Sequence, residues 1–218
     1  DAVSRILRVK IRNGLMDSPL VSNENLTLIG SAEHRSVGRQ AVRESVVVLK
    51  DDNVLPISKD LQTLVVAGKG ADNLGMQCGG WSIDWQGGQG DITIGTTILD
   101  GIKKAVSDST EIIYSEDGSD VVPNSDNIAV VVIGEDPYTE WFGDKENLDL
   151  NDDDINLINS LKDKGYKVIV LLISGRPMNV ADHIGQWDAF AAIWLPGTEG
   201  DGVSDILFGD FNSKGRLS

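Results

Sequence analysis

The amino-acid sequence predicts an α/β fold, a three-layer α/β sandwich built on a mostly parallel sheet of about six strands. Two observations carry this prediction: short runs of apolar, β-branched residues, and helical stretches that separate them. The strand runs lie at residues 63–68, 111–114, 128–133, 167–173 and 189–194. They are apolar throughout rather than alternating, which is typical of strands covered on both faces and therefore of a parallel sheet.

The segments between these runs predict the helices of the outer layers. They cover residues 36–48, 96–107, 152–164 and 198–208. For the third helix, Asn151 or Asp152 is the predicted N-cap and Gly165 the predicted residue beyond the C-terminal end. An alternation of strand and helix along the chain predicts helices on both faces of one sheet.

Both ends of the chain predict a fragment of a longer protein. Residues 2–11 place apolar side chains on one face of a helix with little start signal, as the last helix of a preceding domain would. Residues 12–35 show little periodicity and predict a linker. Residues 209–218 are rich in turn formers and lead into what looks like another strand. We therefore expect the sandwich domain over residues 36–218, with a truncated C-terminal end, after an upstream helix and linker over residues 1–35.

The composition limits the classes of partner. The 218 residues include 34 acidic and 19 basic side chains, for a formal net charge of −15. Such a chain repels nucleic acid and anionic membranes and favours neutral ligands such as sugars. Cys78 is the single cysteine, so no internal disulfide is possible. The sequence has no apolar run of about 18 residues, so it predicts no membrane span.

The strand run at 128–133 leads into a loop that is rich in carboxylates and aromatic rings. The loop reads Gly134-Glu135-Asp136-Pro137-Tyr138-Thr139-Glu140-Trp141-Phe142-Gly143. Loops at the carboxyl ends of parallel strands commonly carry catalytic groups. A carboxylate beside aromatic rings can have its pKa raised by desolvation, as a general acid requires near neutral pH. Glu140 is therefore the first catalytic candidate, and an ordinary exposed loop carboxylate is the alternative reading.

A glycine-rich segment upstream, residues 79–90, is a candidate for holding a flat ligand. It contains Trp81 and Trp85 among five glycines. Indole rings suit the apolar faces of pyranose sugars. Trp81 could instead pin the segment to the body of the domain, whereas substrate contact is the favoured interpretation for Trp85.

Other types of site are disfavoured by residue order. Neither the G-x-x-x-x-G-K-[ST] nor the G-x-G-x-x-G pattern is present, which argues against a flavodoxin-like nucleotide binder. Residues 149–154 begin like a calcium loop but lack its glycine and its final glutamate. His34 and His183 are too isolated in the sequence to predict a metal pair. We therefore expect no metal site.

Taken together, these segments resemble the C-terminal domain of glycoside hydrolase family 3, a family of exo-acting β-glucosidases and β-glucan exohydrolases. The matching segments are Gly-Gly-Trp-Ser-Ile-Asp-Trp-Gln-Gly at 79–87, Gly-Glu-Asp-Pro-Tyr-Thr-Glu at 134–140, Ser-Gly-Arg-Pro at 174–177 and Trp-Leu-Pro-Gly-Thr-Glu-Gly at 194–200. With residues 39–50 they follow the family's order, so the resemblance covers nearly the whole chain.

The resemblance implies roles for the candidate residues. Glu140 matches the family's general acid/base, and Trp85 matches the tryptophan beside the leaving-group sugar, with Trp81 nearby. Glu135 is then a carboxylate that supports the site, and Arg176 a brace between the loops at the strand ends. The nucleophilic aspartate would lie on an N-terminal (β/α)8 barrel that this chain lacks. The chain alone is therefore expected to be inactive.

The resemblance also implies a substrate and a cellular location. We expect retaining hydrolysis that removes glucose from the non-reducing ends of β-glucan oligosaccharides or β-glucosides, without a cofactor, in a periplasmic or secreted protein. The barrel of the same protein is the expected partner, and neither nucleic acid nor membrane is one. The alternative is a non-catalytic carbohydrate-binding or interaction module, in which Trp81 and Trp85 form a platform and Glu140 is incidental.

Overall fold

The structure is a computed structural model that describes residues 1–20 and 22–217. Val21, within the predicted linker, and Ser218, at the end of the predicted C-terminal strand, lie outside the described residues. The chain divides into two compact units. No helix in the described ranges is long and apolar enough to cross a membrane.

The first unit, Asp1–Ser36, is helical. Helix α1 spans Ala2–Arg12, where a helix was predicted. A 3-10 helix spans Asn23–Leu28 and begins at Ser22, whose side chain accepts a backbone N–H of its first turn. Helix α2, Ala32–Ser45, also begins within this unit. The stretch predicted as a linker therefore contains helical structure, for which the Ser22 cap was the available signal.

The second unit, Val37–Ser218, is built on a six-stranded sheet. Its strands are β1 Val47–Asp51, β2 Thr63–Ala67, β3 Glu111–Ser115, β4 Ile128–Gly134, β5 Lys167–Ile173 and β6 Ala189–Trp194. They lie in the order β1-β6-β5-β4-β2-β3, and every neighbouring pair is parallel except β1 with β6. The predicted mostly parallel sheet of about six strands is confirmed.

The helix predicted over residues 36–48 is wrong at its C-terminal end, where the structure has strand β1 instead. Helix α2 ends at Ser45, and Val47 pairs with Ala192 of β6 in antiparallel register. Three consecutive β-branched valines, residues 46–48, favour a strand over a further helical turn because their χ1 angles are restricted in a helix.

Four further helices complete the second unit. They are α3 Leu74–Cys78, α4 Ile98–Ala105, α5 Asp152–Asp163 and α6 Gly200–Leu207. The short α3 was not predicted. Around α5 the predicted caps are confirmed: the Asn151 side chain accepts the Asp153 N–H at 2.9 Å, and Gly165 has a φ of 87° just beyond the helix end.

Hydrophobic clusters lie on both faces of the sheet and make it the middle layer of three. In β4, Val130 and Val132 pack in the cluster that contains α4 and α6, whereas Val131 and Ile133 pack in the cluster that contains α5. All four side chains are fully buried. Burial of each such side chain stabilises the fold by about 1.5–3 kcal/mol. The three-layer sandwich is confirmed.

The C-terminal stretch does not form the strand predicted there. Between Gly209 and Leu217, all within the described range, the chain has no strand. The Phe211 N–H donates to the Asp205 carbonyl at 3.0 Å, and the Ser213 hydroxyl donates to the Val46 carbonyl at 2.7 Å. These hydrogen bonds hold the stretch against α6 and the residue before β1 rather than in the sheet.

The sheet topology brings several loops to one edge. From β2 the chain crosses to β3 on one side, whereas β4 and then β5 lie on the other side of β2. The carboxyl ends of β2 and β4 therefore flank the point where the strand order reverses, which is the usual ligand crevice of an open α/β sheet.

Candidate active site

Glu140 lies in the loop that follows β4, residues 135–143, which we call the β4 loop. It opens a 3-10 helix, Glu140–Gly143, with a φ of 50°. A non-glycine residue in this left-handed region costs about 1–3 kcal/mol and is over-represented at functional sites. The Glu140 side chain is exposed and has no hydrogen-bond or ion-pair partner within the described ranges. The desolvation expected from neighbouring aromatic rings is therefore not provided by this chain.

Glu135, at the start of the β4 loop, is buried in an ion pair with Arg176. The Arg176 Nη2 lies 2.7 Å from Glu135 Oε1, and Arg176 Nε lies 3.1 and 3.2 Å from the two carboxylate oxygens. The Glu135 side chain is only 4% exposed. The hydrogen bond from Arg176 to this carboxylate raises the pKa of the guanidinium further. Arg176 therefore stays charged at ordinary pH.

Arg176 also holds the other end of the β4 loop. Its Nη1 donates to the Gly143 carbonyl, and its guanidinium lies over the Tyr138 ring at 4.5 Å from the centroid. The Tyr138 hydroxyl donates to Glu135 Oε2 at 3.3 Å. Burial, and then the charge of Glu135, raise the pKa of Tyr138. One arginine thus fixes both ends of the loop that carries Glu140.

The glycine-rich segment follows α3 and packs directly on the β4 loop. The Gln86 Oε1 accepts the Thr139 N–H at 3.0 Å. A Cβ at Gly80 would lie 2.2 Å from the Tyr138 carbonyl oxygen, so only glycine permits this approach. The side-chain atoms Gln86 Nε2 and Thr139 Oγ1 are buried without a hydrogen-bond partner among the described residues.

Four aromatic rings gather beside Glu140; we call them the aromatic cluster. They are Trp81, Trp85, Trp141 and Phe142. Trp85 is central, with ring centroids 6.4 Å from Trp81, 5.5 Å from Trp141 and 6.0 Å from Phe142. Trp85 is 39% exposed and the other three are 60–68% exposed. A cluster of exposed aromatic rings is typical of a binding surface.

The exposure of Trp81 bears on its two sequence interpretations. At 68% exposed, its ring does not pin the segment to the domain. Gln86 instead ties the segment to the β4 loop. The Trp81 N–H donates to the Trp85 carbonyl at 3.1 Å, a bond within the segment itself. A cleft of about 220 Å³ lies between the glycine-rich segment and the β4 loop, and its lining includes Trp81, Tyr138 and Glu135.

The structure brings all five predicted site residues to the carboxyl edge of the sheet, and it adds others that the sequence reasoning did not single out. The additions are Gln86, Tyr138, Trp141 and Phe142. Trp141 and Phe142 directly follow Glu140, and two consecutive aromatics in a polar loop were a usable signal. The role of Gln86 depends on a contact across 53 residues of sequence, which no local pattern indicates.

Within the part of the chain that the structure describes, no group of three or more His, Cys, Asp or Glu side chains is arranged to hold a metal ion. The arrangement instead offers an exposed carboxylate on a braced loop beside exposed rings. Such a group can donate a proton to, or accept one from, a ligand that stacks on the rings.

Comparison with known proteins identifies the family of the chain. Residues 46–218 match the glycosyl hydrolase family 3 C-terminal domain. A lysosomal beta glucosidase of Dictyostelium discoideum is 31% identical over 240 residues, covering 99% of this chain and 29% of that protein. A periplasmic beta-glucosidase of Salmonella typhimurium is 30% identical, covering 100% of this chain and 33% of that protein.

Solved structures give the same result. The exo-1,3/1,4-beta-glucanase of a Pseudoalteromonas species superposes with a TM-score of 0.82 at 40% identity, covering 92% of this chain and 26% of that one. A beta-glucosidase from Listeria innocua superposes with a TM-score of 0.81 at 26% identity, covering 100% of this chain and 31% of that one. The chain spans a third or less of the length of these relatives. The chain belongs to glycosyl hydrolase family 3, and residues 46–218 are its C-terminal domain.

Proposed function

We propose that this chain supplies the acid/base half of the active site of a retaining, exo-acting β-glucosidase or β-glucan exohydrolase. The observation that carries the proposal is the position of Glu140: an exposed carboxylate on a loop that is braced at both ends and borders the aromatic cluster. A general acid must be reachable by the substrate and held in one place.

Glu140 fits this role better than Glu135 does. Glu135 is 4% exposed, and its oxygens are occupied by Arg176 and Tyr138. A carboxylate so enclosed cannot reach a glycosidic oxygen. Its proposed task is structural, since it fixes the start of the loop through Arg176.

The proposed mechanism uses two carboxyl groups from two domains. An aspartate on the (β/α)8 barrel of the full-length protein attacks the anomeric carbon while Glu140 protonates the departing glycosidic oxygen. Glu140, now a carboxylate, then takes a proton from water as that water breaks the glycosyl-enzyme bond. Retention of configuration requires the two carboxyl groups to lie about 5–5.5 Å apart. The barrel also supplies the desolvation of Glu140 that this chain lacks.

The proposed substrates are neutral β-glucosides and β-glucan oligosaccharides. Three observations support them: the acidic chain, with its net charge of −15, the exposed indole rings, and the names of the relatives, which include glucosidases, an exo-glucanase and a beta-xylosidase. Trp85, with Trp81, is the proposed wall for the leaving-group sugar. A periplasmic or secreted location is proposed from the periplasmic and lysosomal relatives.

The proposal is tested by Glu140→Gln and Glu135→Gln in the full-length protein. Loss of a general acid costs about 10²–10⁴-fold in rate, so Glu140→Gln should lose that much on a β-glucan. On an aryl β-glucoside with an activated leaving group, the rate of the glycosylation step should fall far less. Azide should restore turnover, because it attacks the glycosyl-enzyme without a base. Circular dichroism controls for folding.

Two results would contradict the proposal. If Glu135→Gln shows the leaving-group dependence and azide rescue and Glu140→Gln does not, the acid/base residue is misassigned. If the full-length wild-type protein binds glucans but hydrolyses none, the chain belongs to a non-catalytic carbohydrate-binding module.

A further inference from the structure

A second cavity borders the β4 loop. Its volume is about 340 Å³, within the range of roughly 300–1,000 Å³ that is typical of small-molecule sites. Its lining includes the rings of Tyr138 and Phe142 together with the polar residues Lys69, Lys145 and Asp154. It lies beside the first turn of α5, at the carboxyl ends of β2 and β4, where the strand order reverses. This is the position at which open α/β sheets bind ligands.

The buried carboxylate of Asp154 is the most unusual feature of this cavity. Asp154 is 6% exposed, yet it has no ion-pair partner within 4 Å in the described part of the chain. The Lys69 ammonium, which acts on it electrostatically, pairs instead with Asp136 at 3.4 Å. The backbone of Gly134 is hydrogen-bonded to this carboxylate. A carboxylate has about four acceptor positions, so Asp154 can also accept hydrogen bonds from a ligand in the cavity that it lines.

The charges that line the cavity indicate the class of ligand. The two ammonium groups, Lys69 and Lys145, face four carboxylates, so neither an anion nor a cation finds a field of one sign. The carboxylates are Glu135, Asp136, Asp149 and Asp154. A neutral polyhydroxylated ring suits this mixture, because each hydroxyl both donates and accepts a hydrogen bond. The carboxylate would accept from the ring hydroxyls and the ammonium would donate to them.

Phe142 connects this cavity to the proposed active site. Its ring lines the cavity and also meets the Trp85 ring edge-on at 6.0 Å and 85°. Phe142 therefore lies between the Trp85 ring and the cavity, two residues after Glu140. An aromatic ring at that point offers an apolar face to a pyranose.

We propose that this cavity is a distal subsite that binds the sugar unit beyond the leaving-group sugar of an oligosaccharide, with Phe142 as its apolar wall and Asp154 and Lys69 as its hydrogen-bonding groups. The inference rests on the proposed function, since it takes Trp85 as the wall for the leaving-group sugar. A distal subsite predicts that the enzyme prefers trisaccharides and longer chains over disaccharides.

The test compares a β-linked glucose disaccharide with the trisaccharide of the same linkage, using the full-length protein. The disaccharide fills the glycone and leaving-group subsites, and only the trisaccharide reaches the cavity. A hydrogen bond to a charged group supports roughly a tenfold difference in affinity. The ratio of kcat/KM for trisaccharide over disaccharide should therefore fall about tenfold in Asp154→Asn. It should also fall in Phe142→Ala, which removes the apolar wall of the subsite. Asp153→Asn, the exposed neighbour on the same turn, should keep the wild-type ratio.

A wild-type ratio near one, or a ratio that neither variant changes, would overturn the distal subsite while leaving the proposed function intact. If the wild-type protein hydrolyses neither sugar, the proposed function fails, and binding then decides the subsite. Trisaccharide binding, followed by tryptophan fluorescence, should still weaken about tenfold in Asp154→Asn but not in Asp153→Asn. Equal affinities in the two variants would overturn the subsite in that case as well.

Discussion

The side-chain carbonyl of Gln86 accepts a hydrogen bond from the backbone N–H of Thr139 at 3.0 Å. This bond ties the glycine-rich segment to the residue directly before Glu140. Since Glu140 has a left-handed φ of 50°, the direction of its side chain depends on how the preceding peptide is held. Gln86 is thus a positioning residue for the proposed acid/base group, although it is not expected to touch the substrate.

The first prediction concerns Gln86→Met, which keeps the side-chain length and removes the acceptor. The buried Thr139 N–H loses its partner, which costs about 1–3 kcal/mol. Misplacement of Glu140 should lower kcat on a β-glucan more than on an activated aryl β-glucoside, and this leaving-group dependence separates positioning from mere loss of stability. Gln62→Met is the control, because the Gln62 side chain is exposed and its hydrogen bond in the described chain is with the exposed Ser125 hydroxyl. Equal losses on both substrates would contradict the positioning role.

The second prediction concerns the Glu135–Arg176 pair. Arg176→Met leaves the buried Glu135 with only the Tyr138 hydroxyl and the half-exposed Lys145, whose Nζ lies 3.5 Å from Oε1, and should cost about 3 kcal/mol in the free energy of unfolding. Adding Glu135→Gln should recover much of that loss, because the uncompensated charge is gone. Lys59→Met is the control: its pair with Asp210 is exposed on both sides and should contribute less than about 1 kcal/mol. Urea denaturation is measured for the wild type, Arg176→Met, Glu135→Gln, the double variant and Lys59→Met. Strict additivity of the Arg176 and Glu135 changes would argue against a stabilising Glu135–Arg176 pair.

The third prediction concerns the dependence of stability on pH at Asp154. Burial raises its pKa from 3.8 to about 6, opposed by Lys69 and by the backbone of Gly134 and reinforced by Asp136 and Asp153. The folded state therefore binds a proton more tightly than the unfolded state does. The stability that this proton confers is complete below about pH 4 and is lost as the pH rises through about 6.

Asp154→Asn stays neutral at every pH and should therefore be more stable than the wild type at pH 8, by roughly 1–3 kcal/mol. The difference should shrink towards zero near pH 4. Chemical denaturation at the two pH values measures it, with Asp153→Asn as the exposed control. A constant difference across this range would show that Asp154 is not the titrating group. A carboxylate that lowers stability at neutral pH fits a binding role better than a structural one.

The fourth prediction is that the 218-residue chain has no glycosidase activity by itself. Glu140 is exposed, and Glu135, the other glutamate of its loop, is held by Arg176. Retaining hydrolysis needs a second, free carboxylate as nucleophile. The folded chain should leave an aryl β-glucoside intact under conditions where the full-length protein cleaves it. Cleavage by the purified chain, unaffected by Glu140→Gln, would mean that another group does the chemistry.

The sequence predicted those parts of this structure that local patterns determine. The central strands were found because strands covered on both faces are continuously apolar, as β4 is. Strand β1 was missed because a helix runs to Ser45 and the strand follows after a single residue. Its assignment depends on pairing with β6, which is a tertiary contact.

The same difference between local patterns and tertiary contacts applies to the candidate site. Glu140 and Trp85 stand in segments that are recognisable from their order of residue types. The pairing of Arg176 with Glu135, and that of Gln86 with Thr139, join residues 41 and 53 positions apart. The exposure of Trp81 likewise depends on which groups anchor the glycine-rich segment. The sequence alone therefore left open whether Trp81 anchors the segment or contacts a ligand.

The last prediction separates Trp85 from Trp81 by substrate and by stability. Trp85 contacts three other rings, and its proposed place is against the leaving-group sugar. Trp85→Ala removes a stacking surface that contributes a few kcal/mol at most, so kcat/KM should fall most for substrates with a ring in the leaving-group position. The value of kcat/KM should therefore fall more for a disaccharide and a longer glucan than for an alkyl glucoside, whose leaving group has no ring.

Trp81→Ala is the matched aromatic truncation in the same segment. Because Trp81 is 68% exposed and touches the cluster only through Trp85, its loss should leave the melting temperature nearly unchanged. Its effect on the disaccharide should be smaller than that of Trp85→Ala, since its ring lies at the edge of the cluster. Kinetics on the three substrates, together with thermal unfolding, distinguish the two residues. Equal losses on all three substrates for Trp85→Ala, at an unchanged melting temperature, would remove Trp85 from the leaving-group subsite.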